Sequence, residues 1–254
     1  ALARKCKNAA RRRIKSLIRP AGNPDAKFDA ALAHLLSAKK PVTIFDVGAH
    51  HGESIARYRS LFPGAVIHAF EPDQDNFSAL KKNRDGNKDI FLNNVGVSGQ
   101  KGTLTFHRNL KSNTSGFHAV NTQSEWAKNR SARHNVSPEE YTAKSYDVPV
   151  IDLDSYIREK NISRIDLLKI DTQGHEDEVL KGCMNALNNG IIDIIETELI
   201  VGDAYVKSLQ FYDLEKILIP AGYRFYGIDS CGDRFHTPSL SFNILYVREK
   251  NFRR

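Results

Sequence analysis

Apolar and polar positions along this chain follow two periods. Spacings of three and four residues predict helices over 25–38 ("DAKFDAALAHLLSA"), 53–62, 73–84, 175–189 and 208–219. Short apolar or alternating runs predict strands at 42–47 ("VTIFDV"), 66–70 ("VIHAF"), 90–97, 103–107, 165–171 ("IDLLKID"), 191–198 ("IIDIIETE"), 223–228 and 241–247. Several of these runs are apolar at nearly every position, as expected of parallel strands covered by helices on both faces.

From 42 to 198 the order is largely strand then helix, repeated. The last two strands follow one another with no helix between, which predicts an antiparallel pair at one end of the sheet. The fold class is therefore α/β, a doubly wound and mostly parallel sheet. Residues 108–149 break the rhythm: they show weak periodicity but carry Phe117, Trp126, Tyr141 and Tyr146. A stretch of this length inside a compact domain predicts a lid or binding element.

Composition adds boundaries. The 254 residues suffice for one large domain, and a 41% apolar, 26% charged chain is that of a soluble globular protein. No apolar run approaches the roughly 20 residues that cross a bilayer, so a soluble or membrane-peripheral protein is expected. The net charge of +7 is concentrated at one end. Arg4, Lys5, Lys7, Arg11, Arg12, Arg13, Lys15 and Arg19 carry it, and without those eight the remainder stands at −1. Residues 1–24 are thus a basic arm ahead of a single domain, 25–254. Three uses of the arm stay open: a membrane-surface helix, a contact to nucleic acid or another acidic partner, or a solvated helix on the fold. Cys6, Cys183 and Cys231 are too few and too scattered for a disulfide framework or a zinc site, which points to a reducing, cytoplasmic setting.

Four stretches carry candidate chemistry. In "FDVGAHHGES", Asp46 ends the first strand and Gly48 and Gly52 flank the turn into a helix. Such a turn lets a ligand lie against backbone and helix N–H groups, although an ordinary tight turn has the same composition. In "AFEPD", Glu71 ends the second strand, where an acid accepts hydrogen bonds from the paired hydroxyls of a ribose; alternatively it only precedes a helix started by Pro72. In "IDLLKIDTQGHEDEVLKG", alternation puts Lys169 and Asp171 on the face of Leu167, an odd place for charge in a buried sheet, and His175 follows on the next turn. The plainer reading has Asp171 capping the helix and His175 solvated. In "IIDIIETELI", Glu196 and Glu198 project from one side of a strand, as surface acids or as ligands for substrate hydroxyls.

Taken together, "FDVGAHHGES", "AFEPDQDNFSALKKN", "NNVGVSGQKGTLTF", "VPVIDLDSY", "LLKIDTQGHEDEVLKG" and "IIDIIETEL" occur in the order and spacing of the FkbM-type methyltransferases, and the chain resembles that family over roughly 42–200. The resemblance implies a Rossmann-like class I methyltransferase sheet with an antiparallel last strand and S-adenosylmethionine as cofactor. It implies that Asp46, Gly48, Ala49, Gly52 and Glu71 line the cofactor, with Asn94 near its adenine. It also implies transfer of a methyl group to a hydroxyl of a sugar, glycan or related natural product. The chain departs from the family pattern at His50, where Asn is usual, at Gln173, where Glu is usual, and at the middle of "VGV", where Ala is common.

Within that reading a base must take the acceptor's proton. His175 is the first candidate because its ordinary pKa is near 6.5, with Asp171 orienting it or holding the acceptor, Lys169 alongside, and Glu196 and Glu198 binding neighbouring hydroxyls. No metal ligands are assigned; a divalent ion on Asp171 and these acids suits the chemistry, but the spacing does not indicate one. Two other classes compete. A nicotinamide-dependent oxidoreductase normally reads G-x-G-x-x-G where this turn has two glycines. A noncatalytic or nucleic-acid-binding module would work through the basic arm and bind in a strongly salt-dependent way.

Overall fold

The computed structural model describes residues 26–83, 86–229 and 240–251; the basic arm, Cys6 and Cys231 lie outside them. Seven strands form the main sheet: β1 (Thr43–Val47), β2 (Val66–Phe70), β3 (Ile90–Asn93), β7 (Ile165–Ile170), β8 (Ile192–Val201), β9 (Tyr223–Ile228) and β10 (Leu240–Arg248). Their order is β3-β2-β1-β7-β8-β10-β9. The first five run parallel, and β10 inserts antiparallel between β8 and β9. This is the doubly wound sheet with a reversed last strand that the sequence implied.

Strand alternation sends side chains to two apolar layers. Phe45, Val47, Leu168, Ile170 and Ile195 face one layer, which is completed by α5 (Leu153–Glu159), α6 (Glu176–Lys181), α7 (Met184–Asn188) and α8 (Phe211–Leu218). Ile44, Leu167, Ile194 and Leu245 face the other, formed with α1 (Ala26–Leu35), α2 (Glu53–Leu61) and α3 (Gln74–Asn83). In α1 the buried Phe28 and Leu32, four apart, make the contact stripe.

A second sheet of three strands, β4 (Gly96–Val97), β6 (Thr142–Ile151) and β5 (Gly102–Asn109), stands beside the carboxyl ends of β2 and β3. The run 90–97 is thus two strands in different sheets. The break falls where the Asn94 side chain donates from Nδ2 to the carbonyls of Glu71 (2.9 Å) and Pro72 (3.3 Å). Residues 108–149 hold regular structure: a 3-10 turn at Ser112–Thr114, α4 (Glu125–Ala132) and most of β6. Their aromatics divide the work. Trp126 and Tyr141 pack with Val120 and Tyr205 in a small core of their own, Tyr146 donates to Asp73 Oδ2 at 2.7 Å, and Phe117 turns toward the main sheet. Among the described residues no helix is long and apolar enough to cross a membrane.

Candidate active site at the rim of the sheet

On the α1–α2–α3 side, the strands change from apolar to charged as they approach their carboxyl ends. Ile44 is followed by Asp46, Leu167 by Lys169 and Asp171, Ile194 by Glu196 and Glu198. The register places Asp46, Lys169 and Glu196 side by side across β1, β7 and β8. A buried charge is costly unless paired, so this row is either a scaffold or a tool.

Lys169 is its centre. The ammonium lies 3.3 Å from Asp46 Oδ1, 3.4 Å from Asp171 Oδ2, and donates to the Gly48 carbonyl at 3.2 Å. Burial works against its charge, but the two carboxylates outweigh burial and raise its pKa. Asp46 is fully buried, and neither of its oxygens finds a hydrogen bond among the described residues; burial raises its pKa against the pull of Lys169. Asp171 keeps a side chain 37% exposed, and there Lys169 and Gln173 overcome burial and hold the carboxyl ionised, below its usual range.

Gln173 explains its own departure from the family pattern. Its Nε2 donates to Asp171 Oδ1 at 2.9 Å and to Glu198 Oε2 at 2.5 Å, while its Oε1 accepts from Tyr205 OH at 2.9 Å. An amide joins two carboxyls that a third acid would repel. Burial and the nearby Asp171 charge push Glu198 well above the ordinary carboxyl range.

Glu196 is committed elsewhere. Arg57 Nη1 approaches Oε1 at 2.6 Å and Tyr58 OH donates to Oε2 at 3.1 Å, while Arg57 Nε also reaches Asp29 at 2.7 Å. The Glu196 side chain therefore fixes α2 against β8. Arg57 and Ser54, three apart on α2, were not singled out from the sequence; the helical spacing from Glu53 was the available signal.

The glycine turn works differently from a bare backbone cradle. The amides of Gly48 and Ala49 both donate to Phe70 O (3.0 and 3.1 Å), and that of Gly52 to Ala49 O (2.9 Å). Gly48 has φ +83°, and a Cβ there would sit 1.9 Å from the Asp171 carbonyl oxygen, so the glycine is what lets β1 and β7 close at the rim. The His50 amide donates to Glu71 Oε2 at 2.8 Å; Glu71 Oε1 accepts from the Asp73 amide (3.0 Å) and Asn76 (3.4 Å). Three donors leave one of the four lone-pair positions on Glu71 open. Burial lifts its pKa to about 7 against those hydrogen bonds.

A cavity of about 320 Å³ lies over this rim, lined among others by Gly48, Glu71, Lys169 and Asp171, with Val95, Val97 and Phe117 as an apolar wall. A second, of about 420 Å³, shares Glu53, Ser54, Lys169 and Asp171 with the first and continues past Arg57, Glu196 and Asn243. Of the residues expected to line the site, Asp46, Ala49, Gly52, Asn94, His175 and Glu198 line neither. His175 is 4% exposed; its Nε2 meets Ser98 Oγ at 3.0 Å and its Nδ1 faces His118 Nε2 at 3.4 Å. It is neither solvated nor at the cavity, and burial together with the His118 charge lowers its pKa to about 4. His50, by contrast, lines the first cavity.

These features fit a cationic adenosyl sulfonium. Glu71 supplies an open acceptor position, and Val95, Val97 and Phe117 supply a surface for a flat ring. Glu53, Glu71 and Asp171 against Lys169 give the lining a net negative character.

Comparison with known proteins agrees. The methyltransferase FkbM domain model matches residues 46–225. The 2-O-methyltransferase NoeI of Sinorhizobium fredii is 29% identical, over 61% of this chain and 63% of its own length. The hexuronic acid methyltransferase AglP of Haloferax volcanii is 26% identical over 64% and 58%, and the 31-O-demethyl-FK506 methyltransferase FkbM of Streptomyces tacrolimicus 28% over 61% and 64%. The match thus spans about three fifths of each relative.

Proposed function

The chain belongs to the FkbM methyltransferase family, and from that premise we propose that it transfers a methyl group from S-adenosylmethionine to a hydroxyl of a sugar, glycan or related natural product. The observation that carries this reading is the partly exposed Asp171, paired with Lys169, at the place where the two cavities meet. S-adenosylmethionine supplies an electrophilic methyl carbon whose bond to a positive sulfur breaks with its electron pair left on sulfur.

The protein's own residues hold, align and deprotonate. Glu71 accepts from the ribose hydroxyls, and Val95, Val97 and Phe117 hold the adenine. Asn94 acts at one remove, by fixing the carbonyls at the end of β2. Asp171 receives the hydroxyl proton as the oxygen–carbon bond forms, and Lys169 keeps it charged for that task. The second cavity takes the acceptor: Asp29, Glu53 and Asn243, which line it with Arg57, suit adjacent hydroxyls. Residues 108–149 act as the cover that selects the acceptor. A reducing, cytoplasmic setting accords with the free, buried Cys183, and the basic arm supplies an electrostatic contact to an acidic surface.

The test is transfer of labelled methyl from S-adenosylmethionine to a panel of glycans, sugar nucleotides and polyols. Label on a hydroxyl oxygen is the expected result. Binding of the cofactor with label appearing only on nitrogen or carbon acceptors would overturn the reading.

A further inference from the structure

At the turn between β1 and α2, His50, His51 and Glu53 place one donor atom each within 4.8 Å of the others. The two imidazoles stack at 3.8 Å, 25° from parallel. Their Nδ1 atoms face one carboxylate: His50 Nδ1 stands 3.4 Å from Glu53 Oε2 and His51 Nδ1 4.0 Å from Glu53 Oε1.

The opposite nitrogens are tied down. His50 Nε2 meets Ser112 Oγ at 2.8 Å, and His51 Nε2 meets Asn76 Oδ1 at 3.2 Å. The Asn76 amide is oriented by its other end, where Nδ2 donates to Glu71, so its oxygen faces His51. An amide oxygen only accepts, and His51 therefore carries its hydrogen on Nε2 and, when neutral, a bare lone pair on Nδ1. The bare lone pair of His51 facing the Glu53 carboxylate is unfavourable unless a cation sits between them. Anchoring of the far imidazole nitrogen by an oxygen is also how metal-bound histidines are held.

We propose that His50, His51 and Glu53 bind one divalent transition-metal ion of the zinc or cobalt kind at the mouth of the cofactor cavity. Two imidazoles and a carboxylate match the preferences of such ions, whereas magnesium and calcium favour all-oxygen sites. Tetrahedral coordination needs donors roughly 3.3 Å apart. The three donors lie within 4.8 Å of one another, and the 3.4 and 4.0 Å contacts go to the two oxygens of Glu53, whose 69% exposed side chain can turn one oxygen toward both rings as the site contracts on an ion. Three protein ligands leave a coordination position open. Because Glu53 lines both cavities, that position can meet an acceptor hydroxyl, a consequence that rests on the proposed reaction, while ion binding itself does not.

The full chain, stripped with a chelator, is titrated with Zn²⁺ by calorimetry and with Co²⁺ by visible absorption, beside His51→Ala and Glu53→Gln and with Mg²⁺ as the control. The expected result is one Zn²⁺ per chain, an affinity weakened at least about tenfold in Glu53→Gln and in His51→Ala, and no saturable Mg²⁺ heat. Circular dichroism checks folding; should His51→Ala misfold, Glu53→Gln alone decides. Absence of saturable Zn²⁺ binding, or less than about a tenfold loss in a folded variant, overturns the site. No cofactor or acceptor is present in this titration, so its failure is separate from failure of the methyltransferase reading.

Discussion

Asp171 and His175 lie four residues apart on the same turn, and the fold treats them oppositely. Asp171 ends β7 on the α1–α2 side, opens onto two cavities and is kept charged by Lys169. His175 falls on the far side, buried against Ser98, Phe117 and His118 and kept neutral. The unusual backbone between them, Gln173 at φ +58° and Gly174 at φ +97°, reverses the chain within two residues. A reactive residue type near a sheet rim is therefore a weak guide until the side of the turn is known; the partners that stabilise one protonation state are a better one.

Four experiments bear on this contrast. Replacing Asp171 by Ala should lower the methyl-transfer rate by about 10²–10⁴, while calorimetry shows S-adenosylhomocysteine binding changed only a few-fold. Full activity in this variant would remove Asp171 from the chemistry. Lys169→Met should cost about 3–5 kcal/mol in urea unfolding, because it strands the buried Asp46 carboxylate. A change below about 1 kcal/mol would mean that Asp46 is protonated in the fold and needs no partner.

The histidine gives a pH signature. Its pKa falls on folding from the ordinary 6.5 to about 4, so the stability it contributes is complete above pH 6.5 and is lost as pH falls toward 4. In His175→Leu that acid-side loss should shrink by about 3 kcal/mol. Activity at neutral pH should stay within about threefold. A thousandfold fall in rate with an intact fold would restore His175 as the base.

Glu71 provides the smallest effect. With its pKa raised to about 7, the ionised form that accepts from ribose hydroxyls grows as pH rises. S-adenosylhomocysteine should bind about tenfold more tightly at pH 8 than at pH 6, and Glu71→Gln should flatten that dependence. A flat profile in the unaltered protein would sever Glu71 from cofactor recognition.

The main sheet was legible because parallel strands buried on both faces write apolar runs into the sequence, as in "VTIFDV" and "IIDIIETE". β6 was not, because "TAKSYDVPVI" is mostly solvent-facing and is held by backbone pairing to β5. The short α5 was missed for its length, although Asp152 caps it through a bond from the Ser155 amide (2.7 Å). The single helix expected over 175–189 is two. Gly182 passes so close to Ser98 O that a Cβ would lie 2.1 Å from it, and Asp154 caps the second piece at the amides of Asn185 and Ala186.

At the site, alternation alone placed Lys169 and Asp171 on one face of their strand and Glu196 and Glu198 on one side of theirs; the register that sets Lys169 beside Glu196 is visible only in the structure. Alternation could not show that Arg57 and Tyr58 would take up Glu196, since those contacts span more than 130 residues. His50 was visible only as a departure from a family pattern, and its role required the positions of Ser112, His51 and Glu53.

The central claim is that the rim formed by β1, β2 and β7 recognises an adenosyl sulfonium. Calorimetric titration of the purified chain with S-adenosylhomocysteine, and with NADH in parallel, tests it most directly. The account predicts saturable one-to-one binding of S-adenosylhomocysteine at about micromolar concentrations, lost in Glu71→Ala, and no binding of NADH. Failure of S-adenosylhomocysteine to bind at about millimolar concentration, or preference for NADH, would contradict it.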